Sequence, residues 1–278
     1  MLKVRFFDAK VRSDFCNYAS AITGCIAAVV LFKDIPLEYK DIAGVTCIIL
    51  LILVYLSIWR RANKLRTINL TVEGSTVTIK TGDIFAEQGL KAIAFNEYFD
   101  TKVDDIVIAR QSLNGKFITE HLSCSREKLD EHIDNYAYAR EDVAALNTTR
   151  LSGKNQSYKL GTICVWDDYL LTAFARFNKF NEAHLSMPEY LAFLINFWDS
   201  VNRVYAQKSV TVPIFGSGIT RIKGHKRIND EELLKIMLWT FRVSEMRFKH
   251  PAKLTIMIHK DKISQINLFD LQSARNGL

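Results

Sequence analysis

The sequence predicts an α/β protein in two parts: a two-helix transmembrane hairpin over about residues 1–66, then a three-layer α/β/α domain with a mixed sheet over 67–278. Three observations predict it. Phe15 to Phe32 and Ile42 to Trp59 contain no charged residue. From Thr67 onward, short β-branched runs replace the long apolar ones. Those runs then alternate with segments that open on helix-capping signals, the pattern of a layered α/β domain.

The two apolar runs come first. A helix needs roughly 20 apolar residues to cross a bilayer core, with a lower limit near 17. Both runs reach that range, giving spans at about 15–32 and 42–59. The second holds an unbroken aliphatic stretch from Ile48 to Val54, whereas the first carries Asn17, Ser20 and Thr23. A signal peptide fits the first run poorly, because the run is long and another span follows at once. A hairpin buried in a soluble core is the other reading. Lys3, Arg5, Lys10 and Arg12 precede the first span, and Arg60, Arg61, Lys64 and Arg66 follow the second. The loop between sets Lys33 and Lys40 against Asp34, Glu38 and Asp41. Positive charge stays inside, so both termini are expected in the cytoplasm. Tyr39, Tyr55 and Trp59 suit the membrane interface. Ser20, Gly24 and Ala28 recur every four residues, a spacing that packs helices closely. That stripe serves packing against the second span, self-association, or both.

In the second part, Thr67 to Val72 and Thr76 to Lys80 flank Glu73-Gly74-Ser75 and read as a hairpin. Ile106 to Ala109 is a further strand, and Ser125 to Tyr138 a helix capped by Ser125. Gly161 to Trp166 and Leu170 to Ala175 read as strands. Ser186-Met187-Pro188-Glu189 is a capping box with an early proline and starts a helix running to about Tyr205. Ser209 to Phe215 is a buried strand. Asn229 caps the next helix, Leu254 to Ile258 is a strand, and Gln265 to Leu271 a last one.

Composition removes several classes. The five cysteines form no CxxC pair, and Cys16, Cys25 and Cys47 sit in the apolar runs, which points to reduced thiols. The six histidines are scattered, without HExxH spacing, so no metal is expected. The net charge of +7 comes largely from the flanks of the spans, with no long basic run. The basic residues lack the aromatic interleaving of a single-strand binder, so no nucleic-acid partner is expected.

Two segments carry phosphate chemistry. Val212 to Thr220 follows a hydrophobic strand and contains Phe215-Gly216-Ser217-Gly218-Ile219. Glycines at a strand's carboxyl end let backbone N–H groups approach a phosphate. Ser217 and Thr220 add hydroxyls, while Arg221, Lys223, Lys226 and Arg227 add charge. A plain turn is the alternative. Thr81-Gly82-Asp83-Ile84-Phe85 follows another strand. Its carboxylate suits an adenine amino group or, equally, a turn cap.

Together these segments resemble the macro domain family, through Gly82-Asp83-Ile84, the buried strand Lys91 to Asn96, and the loop Pro213 to Ile219. The resemblance covers roughly residues 67–271. It implies that Asp83 contacts adenine with Ile84 beside it, and that Gly216 to Ile219 wrap a diphosphate, with Phe85 also in the binding site. Asn96, Phe215, Thr220 and Arg221 complete the expected site. Hydrolytic members follow the asparagine with a glycine run. Here Asn96-Glu97-Tyr98-Phe99-Asp100-Thr101 stands instead, so binding without catalysis is expected. A membrane-tethered hydrolase acting on ADP-ribose adducts is the alternative. The Asn-Glu-Tyr-Phe-Asp-Thr stretch, with Ser112 to Gly115 and the two spans, resembles the membrane effector of type II Thoeris anti-phage systems. That resemblance implies a bacterial inner-membrane protein binding an ADP-ribose derivative, such as histidine–ADP-ribose, made by a TIR-domain partner enzyme. It implies homo-oligomers in the lipid bilayer, membrane disruption, and cell death or growth arrest.

Overall fold

The computed structural model describes residues 3–33, 35–150, 152–178, 180–218, 221–223 and 228–273, without the side chains of Arg221, Lys223 and Ser273. The chain divides into two compact units, Met1–Ile68 with Ile266–Gly277, and Asn69–Gln265.

The first unit holds α1 (Ala9–Phe32) and α2 (Leu37–Lys64), both long and apolar enough to cross a membrane. Asp8 caps α1, its carboxylate accepting from the amides of Lys10 and Val11. Both helices extend beyond the charge-free runs, because basic residues suit a helix outside the apolar core as well as a loop. Neither is buried within this chain anywhere in its most apolar window. Ser20, Gly24 and Ala28 are exposed, and a Cβ built on Gly24 meets nothing within 4 Å. Packing of that stripe against α2 is therefore not what the chain does. The contacts between α1 and α2 use Phe15 against Tyr55 instead.

From Thr67 the chain forms the expected hairpin of β1 (Thr67–Val72) and β2 (Ser75–Thr81). Its turn takes positive φ at Glu73 (47°) and Gly74 (80°), the combination a two-residue hairpin loop requires. Next come β3 (Leu90–Asn96), a short α3 (Leu113–Lys116) and α4 (Arg126–Asn135). Ser125 stands at the N-cap of α4 but makes no side-chain capping bond. A small two-stranded sheet pairs β4 (Val143–Leu146) with β5 (Gln156–Tyr158). Then follow β6 (Ile163–Trp166), β7 (Tyr169–Phe177), β8 (Ala183–Ser186), α5 (Met187–Val204), β9 (Val210–Pro213), β10 (Arg221–Lys223), α6 (Asp230–Val243) and β11 (Leu254–Ile258). Ser186 and Asn229 each form a full capping box, with Glu189 and Glu232 respectively.

Two expectations fail. Ile106 to Ala109 is not a strand: the Asp104 carboxylate accepts from the amides of Ile106 at 3.0 Å and Val107 at 2.7 Å, closing a turn. The Val107 amide is also the main reason that the Asp104 carboxyl falls to about 2. Gln265 to Leu271 is not a strand either. A 3₁₀ turn (Lys260–Gln265) leads into α7 (Leu268–Ser273), which belongs to the first unit.

The main sheet runs β1-β2-β11-β9-β3-β7-β8-β10, with β6 on β7. Neighbours from β2 to β7 are parallel, whereas β6 and β8 pair antiparallel with β7, so the sheet is mixed. Side chains alternate across it. Leu171 and Ala173 of β7 join Ile93, Phe95, Leu129 and Ile133 on the α4 side. Phe174 meets Phe193 of α5 on the other side. There α5 and α6 bury Phe197, Trp198, Leu234 and Phe241, each contributing about 1.5–3 kcal/mol by leaving water. The result is the expected three-layer α/β/α domain.

Candidate functional site

Parallel pairing settles where the motifs lie. Because β2, β11, β9, β3 and β7 run the same way, their carboxyl ends open on one edge, where ligands of α/β sheets bind. Met257 of β11 stands in register with Lys80 of β2 on one side and Pro213 of β9 on the other. The turn carrying Asp83 and the turn carrying Gly216 therefore flank the end of β11, about 10 Å apart at two strand spacings. Asn96 ends β3, the other neighbour of β9. Pairing between β3 and β9 covers only Leu90↔Val210 and Lys91↔Thr211, while β3 stays paired with β7 as far as Asn96↔Ala175. β3 and β9 thus stop pairing before their carboxyl ends.

On the β2 side, Gly82 lies close against β11: its N–H donates to the Ile258 carbonyl at 3.1 Å, and a Cβ there would stand 3.0 Å from the Met257 sulfur. Asp83 is exposed, and its Oδ1 accepts from the Phe85 amide at 3.1 Å, capping a 3₁₀ turn over Ile84–Ala86. Ile84 is buried. Phe85 is half-buried and stacks on His121 at 3.8 Å between ring centres.

On the β9 side, the Ser217 N–H donates to the Ile214 carbonyl at 3.2 Å, and Gly216 takes φ +87°, a conformation that favours glycine. Ser217 is half-buried and Gly218 exposed, with nothing within 4 Å of a Cβ at Gly218. Phe215 differs from the expectation: its ring lies in the core against Phe174, Phe193 and Phe197. Its carbonyl accepts from the Tyr190 hydroxyl at 2.9 Å, so the residue anchors the turn from beneath. Ile219 and Thr220, with Lys226 and Arg227, lie outside the described residues, as do the side chains of Arg221 and Lys223. β10 follows this segment before α6 begins.

Asn96 is committed elsewhere. Its Nδ2 donates to Asp100 Oδ2 at 2.8 Å, and its Oδ1 accepts from the amides of Tyr98 at 3.0 Å and Asp100 at 3.3 Å. Asp100 also accepts from the Lys154 amide at 2.7 Å and forms a two-bond ion pair with Arg150. The Arg150 guanidinium lies 4.0 Å over the Tyr98 ring. Phe99, fully buried, takes φ +50° in this loop. Next along, Glu97 is buried. It accepts from the Phe177 amide at 3.1 Å and from Arg176 at 2.9 Å. Burial raises the Glu97 carboxyl above its ordinary value, outweighing those bonds. The sequence had no signal for Arg150 or Arg176, whose partners lie far along the chain.

A cavity of about 300 Å³ beside this loop is lined by Tyr98, Asp134, Lys154 and Tyr158 among others. A second, of about 570 Å³, lies along α4 at His132 and Tyr136. Neither is lined by Asp83 or Gly216. Among the described residues no cluster of His, Cys, Asp or Glu could hold a metal ion. Cys164 is buried, and that burial pushes its thiol up to about 12.

A family model described as Thoeris protein ThsA, Macro domain, matches residues 77–259. Thoeris protein ThsA of Bacillus amyloliquefaciens (strain Y2) is 41% identical over 243 residues, covering 83% of this chain and 80% of that protein. Among solved structures, the Oceanobacillus iheyensis macrodomain with ADP is similar at a TM-score of 0.45 and 13% identity, covering 75% of this chain and 94% of that one. A mutant of the same macrodomain with ADPR gives 0.45 and 13%, covering 75% and 96%.

Proposed function

This chain belongs to the Thoeris ThsA macro-domain family, and from that membership we propose that it is a membrane-held receptor for an ADP-ribose-type ligand. The ligand binds at the carboxyl edge of the sheet. Adenine lies at the Asp83 turn, and the diphosphate rests against the Gly216 turn. The observation that carries this reading is the placement of those two turns on either side of β11, at the carboxyl edge where β3 and β9 no longer pair. The domain from residue 67 onward faces the cytoplasm of a bacterium, and residues 1–66 hold it in the inner membrane.

Ligand binding is not followed by turnover in this reading, since Asn96 spends its amide within its own loop. Binding shifts the population toward an arrangement that assembles with other copies. The exposed Ser20, Gly24 and Ala28 stripe supports contacts between chains. Assembly disrupts the membrane and halts the infected cell. A TIR-domain enzyme supplies the ligand as an ADP-ribose conjugate.

Calorimetry of the purified protein with ADP-ribose, its histidine conjugate and NAD tests this. Binding of a conjugate that is recovered intact is expected. No binding of any of the three rejects the receptor reading, and ligand consumption rejects its non-catalytic form.

A further inference from the structure

We propose that α7 is a latch that holds the base of the membrane hairpin closed until the ligand edge is occupied, an inference that rests on the receptor reading above. The hairpin's base is strapped together within one compact unit. The Val4 amide donates to Asn63 Oδ1 at 3.0 Å, and Trp59 Nε1 donates to the Val4 carbonyl at 3.1 Å. The Tyr55 hydroxyl donates to the Phe6 carbonyl, and Lys3 donates to the Leu65 carbonyl. Val4, Val11 and Ala62 form a buried knot beneath this strap, and Phe269 of α7 packs against it.

The two helix caps are joined as well. Asp8 caps α1 through Oδ1, and its Oδ2 accepts from Asn267 Nδ2 at 3.2 Å. Asn267 in turn caps α7, its Oδ1 accepting from the Asp270 amide at 3.2 Å. One carboxylate and one amide therefore start two helices and tie them to each other. Ile266, Leu268 and Leu271 are fully buried, so α7 is a packed element.

The covalent route from the ligand edge to this latch is short. β11 ends at Ile258, between the Asp83 and Gly216 turns, and the 3₁₀ turn Lys260–Gln265 follows it directly. Lys262 pairs at 3.3 Å with Asp230, the first residue of α6. The chain then enters α7. A shift of the β11 end on ligand binding pulls on this turn and draws Asn267 off Asp8, freeing the strap and the ends of α1 and α2.

The test uses the full chain in vesicles of phosphatidylethanolamine and phosphatidylglycerol, with two readouts. Hydrogen–deuterium exchange over residues 3–12 is expected to be at least about tenfold faster in Phe269→Ala and Asn267→Ala, and within about twofold of wild type in Phe269→Leu (one pKa-like decade in an opening constant is about 1.4 kcal/mol). Dye release is expected from both alanine variants without ligand, while the wild type stays silent until histidine–ADP-ribose is added. Calorimetric affinity for that conjugate stays at the wild-type value in Phe269→Leu and tightens in the two alanine variants, because a ligand that must open the latch binds better once the latch is already open. Unchanged exchange overturns the latch. So does a variant as silent as a wild type that responds to the conjugate. If the wild type neither binds nor releases dye, the receptor reading fails by itself, and exchange with ligand-free release still decides the latch.

Discussion

Replacing Arg150 with methionine isolates what holds the loop after β3. The side chains of Arg150 and Asp100 are 5% and 1% exposed, so this is a buried pair in which solvent screens little. Removing one member leaves the Asp100 carboxylate with only neutral donors, Asn96 Nδ2 and the Lys154 amide. Breaking a buried pair in this way costs about 3–5 kcal/mol. Each kcal/mol lowers the melting temperature by about 2–4 °C in a domain of roughly 150–250 residues, so a fall of about 6–20 °C is expected. Arg150→Met with Asp100→Asn removes the stranded charge and is expected to recover at least about 1.5 kcal/mol of that loss. Thermal melts of the wild type and the two variants in detergent, followed by calorimetry with the histidine conjugate, measure both effects. The reasoning is refuted if Arg150→Met melts within about 2 °C of wild type, or if the double variant is no more stable than the single one.

Four further outcomes are expected. Ser217→Arg fills the mouth of the Gly216 turn and lowers conjugate affinity at least about a hundredfold, with melting within about 2 °C of wild type; retained binding places the phosphates elsewhere. Asp83→Ala loses a turn cap, costing about 1 kcal/mol in a melt, and also weakens binding by about tenfold or more; a stability loss alone would leave Asp83 as a cap only. Glu97 has a folded pKa above its ordinary 4.5, so its ionised form costs stability. That cost is absent below about pH 4.5 and complete above the folded pKa, so this group's contribution falls as pH rises through the interval. Glu97→Gln should flatten the fall in melting temperature from about pH 4.5 to 7, and an unchanged slope would contradict the assignment. Gly24→Ile adds a side chain where a Cβ meets nothing within 4 Å of its own chain. It should leave ligand binding intact and reduce oligomers seen by cross-linking; an unchanged ladder would remove that stripe from assembly.

What the sequence made legible was local. The capping box at Ser186 and the cap at Asn229 each close within three residues, and both proved real, the second as a full box with Glu232. The hairpin at Glu73-Gly74 is equally local. Failures arose where a side chain redirected the backbone or the partner lay far away. Asp104 turned an apolar run into a loop by taking two of its amides. Asn267 started a helix where alternation suggested a strand. The stripe at Ser20, Gly24 and Ala28 had the spacing of a packing face, but periodicity gives a face and not its partner. Phe215 lay inside a motif of backbone donors, although its own ring belongs to the core. The ion pair of Asp100 and Arg150 spans a separation of 50 residues, which no single-sequence pattern encodes.

Those distant pairs bear on chemistry as well as stability. A general base must reach the proton it abstracts, directly or through one water. At the end of β3 the candidate groups are Asn96, Glu97 and Asp100. Asn96 is used at both ends of its amide, and Asp100 receives Asn96, Arg150 and Lys154. Glu97 keeps an acceptor's chemistry, but Phe177 and Arg176 occupy its two oxygens. Arg176 is fixed in turn by Glu189, the acid of the α5 capping box, at 2.6 Å. The polar groups at the end of β3 are therefore spent on holding one another, and the loop they hold includes a buried Phe99 at positive φ. Such a loop supplies a fixed wall, as the proposed non-catalytic reading requires. If Asn96→Ala were to abolish turnover of an ADP-ribosylated substrate by this protein, the amide would have to be released from its loop in the working enzyme, and the non-catalytic reading would fall.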